Sequence, residues 1–246
     1  MRTPTANELL AAWEQGLDQS PTRRALLLLT AGSSDVAPDK LAALPIGVRD
    51  ARLLRLRELL FGDAVAAVSR CAACGDPLDV SFHVHDMRAE QIEAGDPEVL
   101  THRLQLADYD IAFRLPASAD VIAVSSLDKD AARRALISHC VVEAQHDGAL
   151  TAAGELPDTI VAALADTMRK ADPQAQIELA MTCPACGHDW IALFDIAAFL
   201  WHEVHAWAQR TLHDVHTLAR AYGWREADIL AMSARRRQRY LEMVRA

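Results

Sequence analysis

Two short stretches of this chain share one pattern. Cys71-Ala-Ala-Cys74-Gly75 and Cys183-Pro-Ala-Cys186-Gly187 each place two cysteines three apart with a glycine directly after. A Cys-x-x-Cys turn presents two sulfurs from one tight bend, and the glycine lets the backbone fold back with N–H groups facing them. Two such turns supply four thiolates, which closes a tetrahedral zinc shell. The pattern therefore points to one structural Zn2+ per chain, bound by Cys71, Cys74, Cys183 and Cys186. A closed shell leaves no position for water or substrate, which argues against an enzyme. The spacing is unusual, because 108 residues separate Cys74 from Cys183, against the ~15–20 of a compact zinc ribbon.

Other assignments of the cysteines fit less well. A thioredoxin-type redox pair needs a βαβ setting and an exposed thiol at a helix start, whereas strand-like sequence flanks both pairs. Two separate sites would each need two further ligands, from His83, His85 or His188. His83 and His85 share one face of a strand and read as surface histidines. Cys140, beside Leu136 on the apolar side of a helix, reads as a buried, inert thiol.

Little else in the sequence carries chemistry. His202, His205, His213 and His216 fall on one arc of a long helix, opposite its apolar stripe, and read as a polar or partner-facing surface. There is no phosphate-binding glycine loop, nucleophile elbow or H-E-x-x-H pair, so no small-molecule substrate is implied. Arg235, Arg236, Arg237 and Arg239 form the one basic cluster. Residues 71–198 hold eight Lys and Arg against twenty-one Asp and Glu, a net −13 within the chain's −9. An acidic middle is a poor cradle for nucleic acid. No stretch reaches the ~20 apolar residues of a membrane span. "RRALLLLTAG" is too short for an export signal, so a cytoplasmic protein with reduced thiols is expected.

The elements that must position these residues follow from periodicity. "ANELLAAWEQGL" places Leu9, Leu10 and Trp13 on one helix face, and Ser20-Pro21 reads as a cap followed by a first-turn proline. "AGSSDVAPDK" reads as a loop. In "PIGVRDARLLRLRELLFG", Leu53, Leu56 and Leu60 form a stripe that Gly62 ends. The period then changes to two: Leu78, Val80, Phe82 and Val84 alternate with polar residues. "HRLQLADYDIAFRLP" repeats this as a hairpin turning near Ala107-Asp108. Helices are predicted at "SADVIAVSS", "DKDAARRALISHCVV" and "LPDTIVAALADTMRKAD", with Ser118, Asp128 and Pro157 as starts and Pro173 as a stop. Strands are predicted at 177–182 and 190–194.

From Ile196 a long helix carries Leu200, Val204, Trp207, Thr211, Val215, Leu218 and Tyr222 and ends at Gly223. Two short helices finish the chain. Ile229, Leu230, Tyr240, Leu241 and Val244 there need cover, from the protein's own helices or from a partner. With the arginines between them, they point to a partner surface that could be cut off without unfolding the rest. The fold class is thus α+β and mainly α-helical, a helical bundle with a zinc-ribbon-like pair of β-hairpins and a long insertion between its knuckles. The divisions are an N-terminal helical region (1–64), a zinc-ribbon-like region with inserted strands and helices (65–195) and a C-terminal helical region (196–246), together one compact unit.

The order of motifs resembles a known family. "WEQGLDQSPTRRALLLL", "ARLLRLRELLFG", the two CxxCG knuckles, "FRLPASAD", "FDIAAFLWHEVHAWA" and "HTLARAYGWREADILAMSARRRQRYLEMV" together resemble the T-even (T4-like) phage baseplate proteins, usually described as baseplate hub assembly chaperones. Related copies occur in loci for contractile injection systems. The resemblance implies a non-enzymatic assembly chaperone, or a minor component of the baseplate hub, with baseplate or hub/spike proteins as partners. The alternative from another class is a zinc-ribbon nucleic-acid-binding or regulatory protein.

Overall fold

In a computed structural model, residues 1–33, 35–87 and 100–245 are described. The chain begins with helix α1 (Ala6–Gly16), which a capping box starts: the Glu8 N–H donates to Thr5 Oγ1, and the Thr5 N–H donates to the Glu8 carboxylate at 2.8 Å. Helix α2 (Pro21–Gly32) takes Pro21 at its first position, though the Ser20 hydroxyl makes no capping bond. A five-residue helix α3 (Pro38–Ala42) begins in the last three residues of the stretch expected to be loop and runs past its end. Helix α4 (Ile46–Phe61) stops at Gly62. Strands β1 (Ala64–Arg70) and β2 (Pro77–His83) form the first antiparallel hairpin, and β3 (His102–Leu106) and β4 (Tyr109–Phe113) the second.

Helices α5 (Ser118–Val124) and α6 (Lys129–Cys140) follow, the latter capped by the Asp128 carboxylate. The helix predicted to run through Val142 ends instead at Cys140. Val141–His146 form strand β5, which pairs with β4 and with the short β6 (Ala149–Leu150). Helix α7 (Asp158–Ala171) ends before Pro173. Strands β7 (Ile177–Thr182) and β8 (Asp189–Phe194) make the last hairpin, and α8 (Ile196–Tyr222), α9 (Glu226–Ala231) and α10 (Ala234–Arg245) complete the chain. The molecule is 57% helical with small antiparallel sheets, the mixed and mainly helical class read from periodicity.

Residues divide into two compact units, one of 1–36 with 197–246 and the other of 37–196, so the sequence division at 64/65 falls inside the second. In the 37–196 unit, the four-stranded sheet β3-β4-β5-β6 and helices α6 and α7 bury Ile111, Phe113, Ile137, Ala144, Ile160 and Leu164 in one core. Helix α4 is covered more widely than its predicted stripe. Leu54 is buried beside Leu53 and Leu56, Leu60 is half-buried, and the charged Arg49, Asp50 and Arg57 are buried too. The hairpins β1–β2 and β7–β8 form two separate two-stranded sheets.

The other unit is helical. Leu9, Leu10 and Trp13 of α1, Leu28 and Leu29 of α2, and Leu200, Val204 and Leu218 of α8 are buried. Gly16 lies so near Trp201 that a β-carbon there would overlap the indole, and the Arg24 guanidinium covers that same ring at 4.7 Å. Ile229, Leu230 and Leu241 are buried within the chain itself. Removing residues 224–246 would therefore strip apolar cover from this unit. Arg237 is also buried, with Nη1 donating to the Met232 carbonyl at 3.4 Å, which leaves Arg235, Arg236 and Arg239 exposed on α10.

Candidate metal centre

The hairpins β1–β2 and β7–β8 present their turns to one another. The turns repeat bond for bond: the Cys71 N–H donates to the Asp76 carbonyl at 3.0 Å, and the Cys183 N–H to that of His188 at 2.9 Å. The glycine N–H groups close each turn, Gly75 onto Cys71 at 3.0 Å and Gly187 onto Cys183 at 2.9 Å. Gly75 and Gly187 have φ of 78° and 71°, a left-handed conformation that a β-carbon disfavours. That is the physical reason for the glycine after each pair. An Ala73 N–H also donates to Cys71 Sγ at 3.4 Å.

Four sulfurs meet between the turns. Cys71 and Cys186 are 3.7 Å apart, as are Cys74 and Cys183, and all four lie within 4.8 Å of one another. No disulfide joins them. Four thiolates bound at ~2.3 Å to a tetrahedral ion stand ~3.8 Å apart, so the spacing suits a shared metal. Beneath them, Cys71, Leu78 and Cys183 are buried against Trp190, and Phe82 meets Phe194 edge-to-face at 5.3 Å. The small core thus holds both pairs in position across the 108 residues that separate them.

The electrostatics of the cluster favour a cation. The N–H of Cys74, then that of Ala73 and the adjacent thiols, bring Cys71 down to about 6. The Asp76 N–H pulls Cys74 the same way, but desolvation and the neighbouring sulfurs outweigh it and push Cys74 up to about 12. The His188 N–H and the Cys74 thiol pull Cys186 down, but desolvation and the Cys183 and Cys71 thiols outweigh them and raise it. One thiolate therefore forms readily and the next are resisted by like charge. A divalent ion removes that resistance.

The other sequence candidates separate. Cys140 is fully buried in the sheet core, where desolvation pushes its thiol up to about 11. His188 stacks on Trp190 at 5.9 Å and donates no side-chain nitrogen to the cluster. His202, His205, His213 and His216 are all exposed, and among the described residues they join no metal-binding group. His205 Nδ1 accepts from Trp13 Nε1 at 3.0 Å, which ties α8 to α1. Sequence reasoning missed Asp63, which lies between His83 and His85.

The family model described as T4 bacteriophage base plate protein matches residues 28–201, well over half of the chain. The matched range takes in both Cys-x-x-Cys turns and stops before the C-terminal YGW and YLEMV motifs. No curated protein and no solved structure matches.

Proposed function

The chain belongs to the T4 bacteriophage base plate protein family, and on that premise we propose that it is a non-enzymatic assembly chaperone, or a minor component, of the baseplate hub of a phage tail-like contractile injection system. The family match over residues 28–201 carries the proposal. Cys71, Cys74, Cys183 and Cys186 hold one structural Zn2+, since zinc is the ion that a reduced four-cysteine set commonly selects. The ion fastens two hairpins distant in sequence and offers no open position to a substrate.

Partners are baseplate or hub/spike proteins, met in the cytoplasm. Among the described residues, no helix is long and apolar enough to cross a membrane. The two knuckle hairpins carry Arg70 against Asp76, Asp79, Glu178 and Asp189, a balance that opposes binding to phosphate backbones.

Capture of the tagged chain from cells producing the particle tests this, compared with the composition of purified particles. A chaperone co-purifies with free hub proteins and is missing from finished particles; a component is found in both. Recovery with no baseplate protein in either preparation refutes the proposal.

A further inference from the structure

A second set of ligand-type side chains lies at the base of the first knuckle hairpin. Asp63 stands between the end of α4 and the start of β1, and the chain there is pinned. The buried Arg57 donates through Nη1 to the carbonyls of Gly62 and Ala64, at 2.6 and 2.8 Å. The Val84 N–H donates to the Asp63 carbonyl at 3.0 Å, and His83 pairs with Ala64 in the ladder. This register brings His83 and His85 beside Asp63 from 20 and 22 residues away. The His85 N–H fixes the carboxylate by donating to Oδ1 at 3.1 Å, while both imidazole Nδ1 atoms converge on Oδ2, at 2.9 and 2.6 Å. The two rings stack at 5.2 Å.

We propose that Asp63, His83 and His85 bind an exchangeable divalent transition-metal ion of the nickel, cobalt or zinc class, separate from the four-thiolate centre. Imidazole suits nickel and zinc, and two imidazoles with a carboxylate hold zinc with a position left open. An octahedral ion with bonds of ~2.1 Å has neighbouring donors ~3.0 Å apart; the His83 contact at 2.9 Å matches this, and the His85 contact at 2.6 Å would widen on binding. The Nδ1 atoms must carry lone pairs, which puts the protons on Nε2. A partner for that proton is in place at His85, whose Nε2 lies 3.3 Å from Asp86 Oδ1. A carboxylate behind the ligating imidazole is what holds a metal-bound histidine in its tautomer. The side chains of His83 and His85 are 55% and 57% exposed, so the ion would exchange with solvent and keep water in its remaining positions. Asp108, His146 and Asp147 also gather, but they offer a single nitrogen on an exposed turn.

Titration of the zinc-loaded, tag-free full chain with Ni2+ tests the site, with retained zinc measured in parallel. One Ni2+ per chain is expected without zinc release. His83→Ala and Asp63→Asn should each weaken it at least about tenfold, and a His202→Ala, His213→Ala control should leave it unchanged. Circular dichroism and zinc content report folding of each variant. No uptake of Ni2+, uptake that displaces zinc, or uptake that survives removal of His83 and His85 together overturns the proposal.

Discussion

At the scale of single residues, the metal centre separates from the core. Cys71→Ser or Cys183→Ser removes a ligand and leaves a buried hydroxyl where a small apolar cluster stood. Zinc content should fall from one per chain to near zero. The melting temperature should drop by roughly 5–10 °C, the response of a chain this size to a loss of on the order of 2–3 kcal/mol. Cys140→Ser should also destabilise, because its hydroxyl would be buried in an apolar core, but at full zinc content. Metal analysis of purified variants decides it, and loss of zinc from the Cys140 variant would place that thiol in the shell. The four cysteines were legible because a duplicated motif survives any spacing. Asp63 was not, since only the pairing of Ala64 with His83 brings it to the histidines. Nothing in the local sequence around Arg49, Asp50 and Asp172 announces that they are buried.

Elements were legible where one periodicity ran to a clear stop. Helix α8 keeps its stripe buried from Ile196 to Leu218 except at the half-buried Trp207, and Gly223 ends it with φ of 69°. Strand β5 was lost because Val141 and Val142 continue the apolar pattern of α6, and neither the β4 edge that pairs with Val141 nor the irregularity at Val142 is visible in the sequence. Helix α10 shows the same limit in its arginines: the burial of Arg237 depends on its fold, whereas Arg235, Arg236 and Arg239 stay on the outer face with Tyr240 and Met243 in a groove of about 350 Å³. Reversing these three to glutamate spares the buried Ile229, Leu230 and Leu241. The variant should fold and hold zinc, yet capture its partners more slowly and with weaker dependence on salt. Co-purification at low and high salt checks this, and unchanged capture puts the interface elsewhere.

At the scale of the whole molecule, buried charge in the 37–196 unit sets a dependence on pH. Burial pushes Asp50 up to about 6, outweighing the Arg49 guanidinium at 2.7 Å, and burial raises Asp172 although the Gly47 N–H donates to it at 2.9 Å. An aspartate in the unfolded chain titrates near ~3.9. Between about pH 4 and about 6 the folded protein therefore holds a proton at Asp50 that the unfolded chain has released. Stability from this group is greatest below that window, falls as pH rises through it and is level above. Asp120 goes the other way: desolvation raises it, but the Arg114 guanidinium prevails and lowers it, so its contribution is lost only below the ordinary aspartate range. Acid would also protonate the cysteine cluster and release the proposed metal, so wild type alone would mix two effects. Asp50→Asn separates them, because it keeps the shape and neutrality of the protonated acid while the thiolate centre is common to both proteins. The two should be nearly equally stable near pH 4. By pH 7 the Asn variant should be the more stable by roughly 2–3 kcal/mol, since a tenfold change in an acid constant between folded and unfolded chain is worth about 1.4 kcal/mol. Urea unfolding of both proteins across this range measures the gap. A gap that stays constant with pH would mean that Asp50 titrates as a solvated carboxylate and that Arg49 fully offsets its burial.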